Sequence, residues 1–88
     1  MAVRVLQESQ NQLTLELIGQ DHTLANFVRR GLLRHKDTEY ASYTIEHALV
    51  SDPVLLLTSR SEPKKVLLQS LEQLRSSLSA LHDNVKKL

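Results

Sequence analysis

The sequence predicts an α+β fold with the element order ββαββα, in which helices cover a four-stranded sheet. Apolar and polar residues alternate within 3–18 and again within 39–46, which is the period-two signature of half-buried strands. The continuous apolar run 54–57 predicts a more deeply buried fourth strand over 54–59. Apolar residues spaced three and four apart predict helices over 22–35 and 62–88. This order differs from the βαββαβ order of ferredoxin-like domains.

The first two strands form a hairpin within residues 3–18. Its two arms carry apolar side chains at alternate positions, namely Val3 and Val5 in the first arm and Leu13, Leu15 and Leu17 in the second. The segment 7–12 between the arms is entirely polar. We therefore expect both arms to place one apolar face on the core.

The first helix is predicted to begin at residue 22 or 23 and to end near His35. Its apolar stripe has the spacing i, i+3, i+4, i+8 and consists of Leu24, Phe27, Val28 and Leu32. Either Asp21 or Thr23 can cap the N terminus. Basic residues at 34–36 complement the negative end of the helix dipole.

The third strand is predicted to place Ala41, Tyr43 and Ile45 on one face and Tyr40, Ser42 and Thr44 on the other. Turn residues at 51–53 separate it from the fourth strand. Ser61 and Pro63 then predict the start of the last helix, with Ser61 as the capping residue. No Gly or Pro follows, so this helix is predicted to continue to residue 88.

The last helix carries an uninterrupted heptad pattern, which we call the heptad stripe. It consists of Leu67, Leu71, Leu74, Leu78, Leu81, Val85 and Leu88. A helix over 62–88 spans about 40 Å, whereas a domain of this size has a diameter of about 30 Å. Part of the stripe should therefore extend beyond the sheet and bind a partner. The alternative is that the whole stripe covers the chain's own sheet.

Composition excludes several classes of function. The 88 residues, which we expect to form one domain over 1–88, contain no Cys and two Gly, so disulfides, thiolate metal sites, P-loops and dinucleotide fingerprints are absent. The four His lack metal-ligand spacing, and Asp21-His22-Thr23 is not expected to form a catalytic triad. No cofactor, metal site or catalytic residue is predicted.

The expected partners are proteins rather than nucleic acids or membranes. A net charge of +1 gives no electrostatic basis for phosphate binding, and Tyr40 and Tyr43 face opposite ways on their strand, so no direct sequence-specific nucleic-acid contact is expected. No apolar run approaches the roughly 18 residues of a membrane span, which predicts a soluble, cytoplasmic chain. A small core of this kind is commonly stabilised by a partner subunit.

The segment 22–33, His-Thr-Leu-Ala-Asn-Phe-Val-Arg-Arg-Gly-Leu-Leu, preceded by Gly19 and Asp21, resembles the signature of the DNA-directed RNA polymerase subunit L family. It is also similar to a helix in the dimerisation domain of the bacterial polymerase alpha subunit. Residues 39–43 and 46–49 resemble the family's third strand and the loop after it. Ala25, Ser42 and Ala48 depart from the family's usual residues. The short length is similar to the archaeal form.

The resemblance implies a non-catalytic assembly subunit. Members of that family form a heterodimer with a larger, D-type subunit of the polymerase, and the pair is the platform on which the large catalytic subunits assemble. On the matching positions, Thr23, Leu24, Asn26 and Phe27 would order the first helix, and Arg29 and Arg30 would contact the large subunits. In the last helix, the resemblance implies a partner-binding role for Leu71, Leu74, Leu78, Leu81 and Val85. The alternative is a stand-alone homodimeric interaction module or small-ligand regulatory module.

Overall fold

The computed structural model describes residues 2–45 and 52–88. The observed element order is ββαββα, which confirms the predicted fold class. The elements are β1 (Ala2–Glu8), β2 (Gln12–Ile18), α1 (His22–Leu33), β3 (Thr38–Thr44), β4 (Val54–Ser59) and α2 (Pro63–Lys86). The resemblance of residues 46–49 to a family loop lies outside the described residues, as does residue 46 at the end of the predicted third strand.

The four strands form one antiparallel sheet in the order β1-β2-β4-β3. The hairpin β1-β2 is closed by a hydrogen bond from the Ser9 amide to the Gln12 carbonyl, 2.8 Å long. β4 lies between β2 and β3, so the last strand of the chain occupies the interior of the sheet. That position agrees with its leucine-rich sequence, because an interior strand is surrounded by neighbours on both edges.

The core lies between one face of the sheet and the two helices. Its buried side chains are Leu13, Leu15, Leu17, Ala25, Val28, Leu32, Ala41, Leu55, Leu57 and Val66. On β3, Ala41 is buried and Tyr43 packs against the core, while Tyr40 is exposed, as the alternation predicted. α1 packs mainly on β3, and α2 lies on β2 and β4.

The helix boundaries differ slightly from those predicted. α1 ends at Leu33, two residues before the predicted end, and its last turn is tightened by a bond from the His35 amide to the Leu32 carbonyl, 3.0 Å long. α2 begins at Pro63 with Glu62 at the N-cap position and no side-chain capping bond. The prediction that Ser61 caps α2 is therefore wrong. The Ser61 hydroxyl instead donates to Asp37 Oδ2, 3.1 Å away.

Candidate subunit interface

The N-terminal half of α2 is built into the domain. Val66, Ser70 and Leu74 are buried on the face that meets the sheet and α1, and Leu67 packs against the core. The two helices are in close contact at Gly31, where a β-carbon would lie 2.8 Å from Leu74 Cδ1. The absence of a side chain at Gly31 therefore lets Leu74 pack against α1.

The C-terminal half of α2 exposes the same face of the helix. Leu74 is 8% exposed, whereas Leu78, Leu81 and Val85 are 52%, 59% and 57% exposed. Leu71, at the boundary between the halves, is also exposed. We call Leu71, Leu78, Leu81 and Val85 the exposed stripe. Its length agrees with the expectation that part of the heptad stripe extends beyond the chain's own core.

Leu74 requires a correction to the predicted set of partner-binding residues. The heptad spacing places it in the same stripe as Leu71 and Leu78, but the structure buries it inside the chain against Gly31. Leu71 and Leu78 remain exposed, whereas Leu74 is covered by α1 at Gly31. We therefore remove Leu74 from the candidate partner surface and assign it to the core.

The start of α1 is capped by Asp21, the residue directly before the motif. The Asp21 carboxylate accepts hydrogen bonds from the amides of Thr23 and Leu24, at 3.0 and 3.3 Å. Asp21 is therefore the capping residue, and Thr23 is exposed at the start of the helix. Leu24 is half-buried and packs against the core. The ordering role expected for Thr23 and Leu24 stays a prediction, since only their backbone amides take part in the cap.

Asn26 and Arg29 form a local pair on the side of α1 that faces β3. The Arg29 guanidinium donates to Asn26 Oδ1 through Nη2 at 2.8 Å and Nε at 3.3 Å. The Arg29 Cζ atom also lies 6.0 Å from the centroid of the Tyr43 ring, within cation–π distance. Asn26 and Tyr43 together hold the Arg29 side chain in one orientation, in contact with both the helix and the sheet.

Arg30 leaves α1 on a different side. It lines a cleft of about 200 Å³ with Phe27, Gly31, Arg34 and Leu74. Phe27 is exposed in this cleft and lies next to the point where α2 crosses. The two adjacent arginines, both expected as contacts for the large subunits, therefore present their charges to two different surfaces of the domain.

A histidine joins the end of α1 to α2. His35 Nδ1 accepts a hydrogen bond from the Asp37 amide at 3.0 Å, so the ring hydrogen of the neutral form is on Nε2. Nε2 lies 2.7 Å from Gln69 Oε1 and donates to it. This link fixes the N-terminal half of α2 beside the end of α1, and neither His35 nor Gln69 was assigned such a role from the sequence.

The described residues contain no site for a metal ion and no membrane-spanning helix. Within 2–45 and 52–88, no three His, Asp or Glu side chains are grouped closely enough to hold a metal ion. No helix among the same residues is both long and apolar enough to cross a bilayer.

One apolar surface was not predicted from the sequence. Val3 and Val5 were expected to be half-buried, but β1 is exposed along its whole length. Beside it is a groove of about 310 Å³, which we call the β1 groove. It is lined by Val3, Val5, Glu8, Leu13, Leu15, Lys64, Leu67 and Leu68. Alternation along β1 identified the face on which these valines lie but could not show that no helix covers it.

Comparison with known proteins gives the family of this chain. A model of the RNA polymerase Rpb3/Rpb11 dimerisation domain matches residues 12–84. The chain is 38% identical to the DNA-directed RNA polymerase subunit Rpo11 of Saccharolobus solfataricus, over all of this chain and 98% of that protein. It is 31% identical to the subunit of the same name from Methanococcoides burtonii, over 84% of this chain and 82% of that protein.

A solved structure shows the same fold. Subunit L of the RNA polymerase from Thermoplasma acidophilum superposes with a TM-score of 0.87 at 23% identity, covering 98% of this chain and 86% of that one. The fold and the family model over most of the chain therefore agree. This chain belongs to the family of the RNA polymerase Rpb3/Rpb11 dimerisation domain.

Proposed function

We propose that this protein is a non-catalytic assembly subunit of an archaeal-type, multisubunit DNA-directed RNA polymerase in the cytoplasm. It forms a heterodimer with the D-type subunit, and the pair is the platform for the large catalytic subunits. The observation that carries the proposal is the exposed stripe on α2 of a chain whose family is defined by a dimerisation domain.

The exposed stripe is costly for a chain that stays alone. Burying a large aliphatic side chain stabilises a protein by about 1.5 to 3 kcal/mol, so each half-exposed member of the stripe gains on the order of 1 kcal/mol when a partner covers it. The four side chains share one face of a single helix, and scattered surface leucines have no such arrangement. This gain supports pairing through the C-terminal half of α2.

The positions beside the stripe favour a different subunit over a second copy of this chain. In the heptad, the g positions are Ser70, Ser77 and Asn84, and the e positions are Leu68, Arg75 and His82. A self-pairing zipper normally carries complementary acidic and basic residues at these positions. Ser70 is in any case buried within the domain. The e and g positions of α2 therefore favour packing against a broad surface of a different subunit.

The basic residues of α1 supply the second part of the proposal. We assign Arg29 and Arg30 to contacts with the large subunits. Arg29 is already held by Asn26 and Tyr43, so its ordering costs little further entropy when a carboxylate of a partner binds it. Because Arg30 lies on another side of α1, each arginine requires its own substitution in a binding assay.

The test is co-expression with the D-type subunit of the same organism, followed by size-exclusion chromatography with light scattering. The expected result is a 1:1 complex. Leu81→Glu should abolish it, or weaken it at least 100-fold, because a charge would be buried in an apolar contact. Ala80→Glu is the matched control, since it adds the same charge one residue away on the other side of α2, and it should leave the complex intact.

Two results would overturn the proposal. One is the absence of any complex between the wild-type chain and the D-type subunit. The other is a tight dimer of the chain alone that Leu81→Glu dissociates, which would establish the stand-alone homodimeric module instead. Sedimentation of the purified chain measures the second result directly.

A further inference from the structure

β3 forms one edge of the sheet, and β4 is its only neighbouring strand. Ser59, the last residue of β4, donates its amide to the carbonyl of Asn11, directly before β2. Because hydrogen-bonding residues alternate along an antiparallel pair, the odd-numbered residues of β4 direct their backbone groups toward β2. The even-numbered residues therefore bond to β3, where Leu56 lies opposite Ser42.

The backbone groups on the free edge of β3 belong to Ala41 and Tyr43. Ser42 directs its amide and carbonyl toward β4, so the residues on either side of it direct theirs away from the sheet. No backbone group of a described loop bonds to them. An edge of this kind is a template for a further extended chain.

The two edges of the sheet differ in how strongly they hinder an added strand. β1 has a bulge in mid-strand, between Val5 and Gln7, with charged residues on both sides of it. Bulges and charges of this kind protect an edge from pairing. β3 has its irregularity at its start, between Thr38 and Tyr40, and the stretch 40–44 pairs without interruption and contains no charged residue. The edge at β3 is therefore the open one.

Arg29 provides a positive charge above this edge. Phe27 and Gly31 meet Leu74 of α2 on one side of α1. Arg29 is two residues from each of them, which is about 200° around the helix, so it lies on the side away from α2. Because α1 packs on β3, that side lies over the free edge, where the Arg29 guanidinium is 6.0 Å from the centre of the Tyr43 ring.

The Arg29 side chain is oriented but has no counter-charge among the described residues. Its Nη2 and Nε groups donate to Asn26 Oδ1 at 2.8 and 3.3 Å, which leaves the Nη1 donors for another acceptor. Neither of the ion pairs found within 2–45 and 52–88 includes Arg29. A carboxylate would form charge-assisted hydrogen bonds with it, at a small cost in side-chain entropy. The charge at this edge therefore favours an acidic occupant.

We propose that the free edge of β3 binds an extended, acidic segment of a large polymerase subunit, which adds a fifth strand to the sheet. The inference rests on the proposed function and adds the location and the chemistry of one contact. Main-chain hydrogen bonds to Ala41 and Tyr43 hold the added strand. Residues directly opposite each other on neighbouring strands share a face. An acidic residue opposite Tyr43 therefore points toward Arg29.

A second copy of this chain suits the edge less well than an extended segment. Antiparallel pairing of two β3 strands would keep both α1 helices on the same face of the joined sheet. The axes of packed helices are about 8 to 10 Å apart, whereas neighbouring strands are only about 4.8 Å apart. The two α1 helices would collide, and two Arg29 side chains of like charge would lie on one face. A segment without a helix of its own avoids both costs.

Amide hydrogen exchange tests the addition of a strand. The isotope-labelled chain is compared in the heterodimer with the D-type subunit and in the polymerase assembled from purified subunits, and exchange is read by NMR after quenching. In the heterodimer, the Ala41 and Tyr43 amides should exchange rapidly, whereas the Ser42 amide, which bonds to β4, should be protected. In the polymerase, exchange at Ala41 and Tyr43 should slow by about 100-fold or more. Unchanged exchange at both residues would overturn the inference, as would protection already present in the heterodimer.

Charge reversal tests the acidic character of the segment. Arg29→Glu in the heterodimer should weaken binding to the large subunits by about 10-fold or more, measured by biolayer interferometry. Lys65→Glu is the matched control, because it makes the same change of charge at an exposed residue of α2, a helix that lies on β2 and β4. It should change the affinity less than about 2-fold. Equal effects of the two substitutions would overturn the assignment of an acidic segment.

A crosslink identifies the occupant of the edge. The chain contains no Cys, so Thr44→Cys, at an exposed position of β3, provides a single attachment point for a thiol-directed photocrosslinker. In the polymerase, crosslinks to a segment of a large subunit that contains Asp or Glu are expected. Crosslinks to the D-type subunit or to a second copy of this chain would overturn the inference and leave the proposed function intact. Failure of the wild-type chain to form the heterodimer would remove the proposed function itself.

Discussion

The two halves of α2 have the same apolar spacing and opposite environments. In the N-terminal half, Val66 and Leu74 are buried by the chain's own sheet and by α1. In the C-terminal half, Leu78 and Leu81 lie in the same heptad stripe and are more than half exposed. The boundary is the crossing with α1 at Gly31. The first half therefore stabilises the domain, and the second half is available to another subunit.

The difference between the halves shows that an apolar helix face and the chain that covers it are two separate properties. Heptad spacing shows that one face of a helix is apolar and must be covered. It does not show whether the cover belongs to the same chain, because that depends on how far the sheet and α1 extend beneath the helix. In this protein the covering elements end near residue 74, and α2 continues to Lys86.

The largest expected effect is the difference in stability between charge substitutions in the two halves of α2. Leu74→Glu should lower the free energy of unfolding by about 3 to 5 kcal/mol, because it places a carboxylate in the packed contact with Gly31. Leu81→Glu should change it by less than about 0.5 kcal/mol, because that site faces solvent in the separate chain. Urea denaturation followed by circular dichroism measures both values.

The same pair of variants also separates folding from assembly. Leu81→Glu should keep a native circular dichroism spectrum and fail to bind the D-type subunit, whereas Leu74→Glu should lose both. If the two variants unfolded at equal urea concentrations, α2 would not divide at Leu74, and the distinction between its halves would be wrong.

The second prediction tests the crossing point itself. A β-carbon at Gly31 would lie 2.8 Å from Leu74 Cδ1 and 3.0 Å from Leu74 Cγ. Gly31→Ala should therefore lower the free energy of unfolding by about 1 to 2 kcal/mol, since the cost of overpacking exceeds the gain in helix propensity of about 1 kcal/mol. The measurement is again urea denaturation.

In a double-mutant cycle with Leu74→Ala, the effect of Gly31→Ala on the free energy of unfolding should change sign. In a Leu74→Ala background the clashing atoms are gone, so Gly31→Ala should raise the free energy of unfolding by up to about 1 kcal/mol. An equal loss of stability in both backgrounds would mean that Gly31 is required for a reason other than its contact with Leu74.

Much of the fold could be predicted from local patterns. Alternation in β2 and β3 and the apolar run of β4 predicted the strands, because each of these strands has one or both faces against neighbouring elements. The cap at Asp21 followed from residue type and position, although Thr23 was an equal candidate until the hydrogen bonds to Asp21 Oδ1 distinguished them. These features depend on interactions between residues close in sequence.

The features that could not be predicted depend on tertiary position. The exposure of Val3 and Val5 follows from the place of β1 at the edge of the sheet beyond the helices. Ser61 was expected to cap α2, but its hydroxyl binds Asp37, 24 residues earlier in the chain. Arg29 and Arg30 were both expected to contact the large subunits, and only the positions of Tyr43 and Phe27 show that they face different surfaces.

The smallest expected effect concerns the link that holds the buried half of α2 against α1. His35→Ala removes the hydrogen bonds to the Asp37 amide and to Gln69 and should lower the free energy of unfolding by about 1 kcal/mol.

His82→Ala, in the exposed half of α2, is the matched control. Among the described residues, the only hydrogen bond or ion pair found for the His82 side chain is the surface contact with Asp83 at 3.5 Å. Its loss should change the free energy of unfolding by less than about 0.3 kcal/mol. Equal effects of the two substitutions would show that the link from His35 to Gln69 contributes nothing to the packing of α2. If only His35→Ala lowers the free energy of unfolding, the link to Gln69 stabilises the N-terminal half of α2, the half that packs on α1.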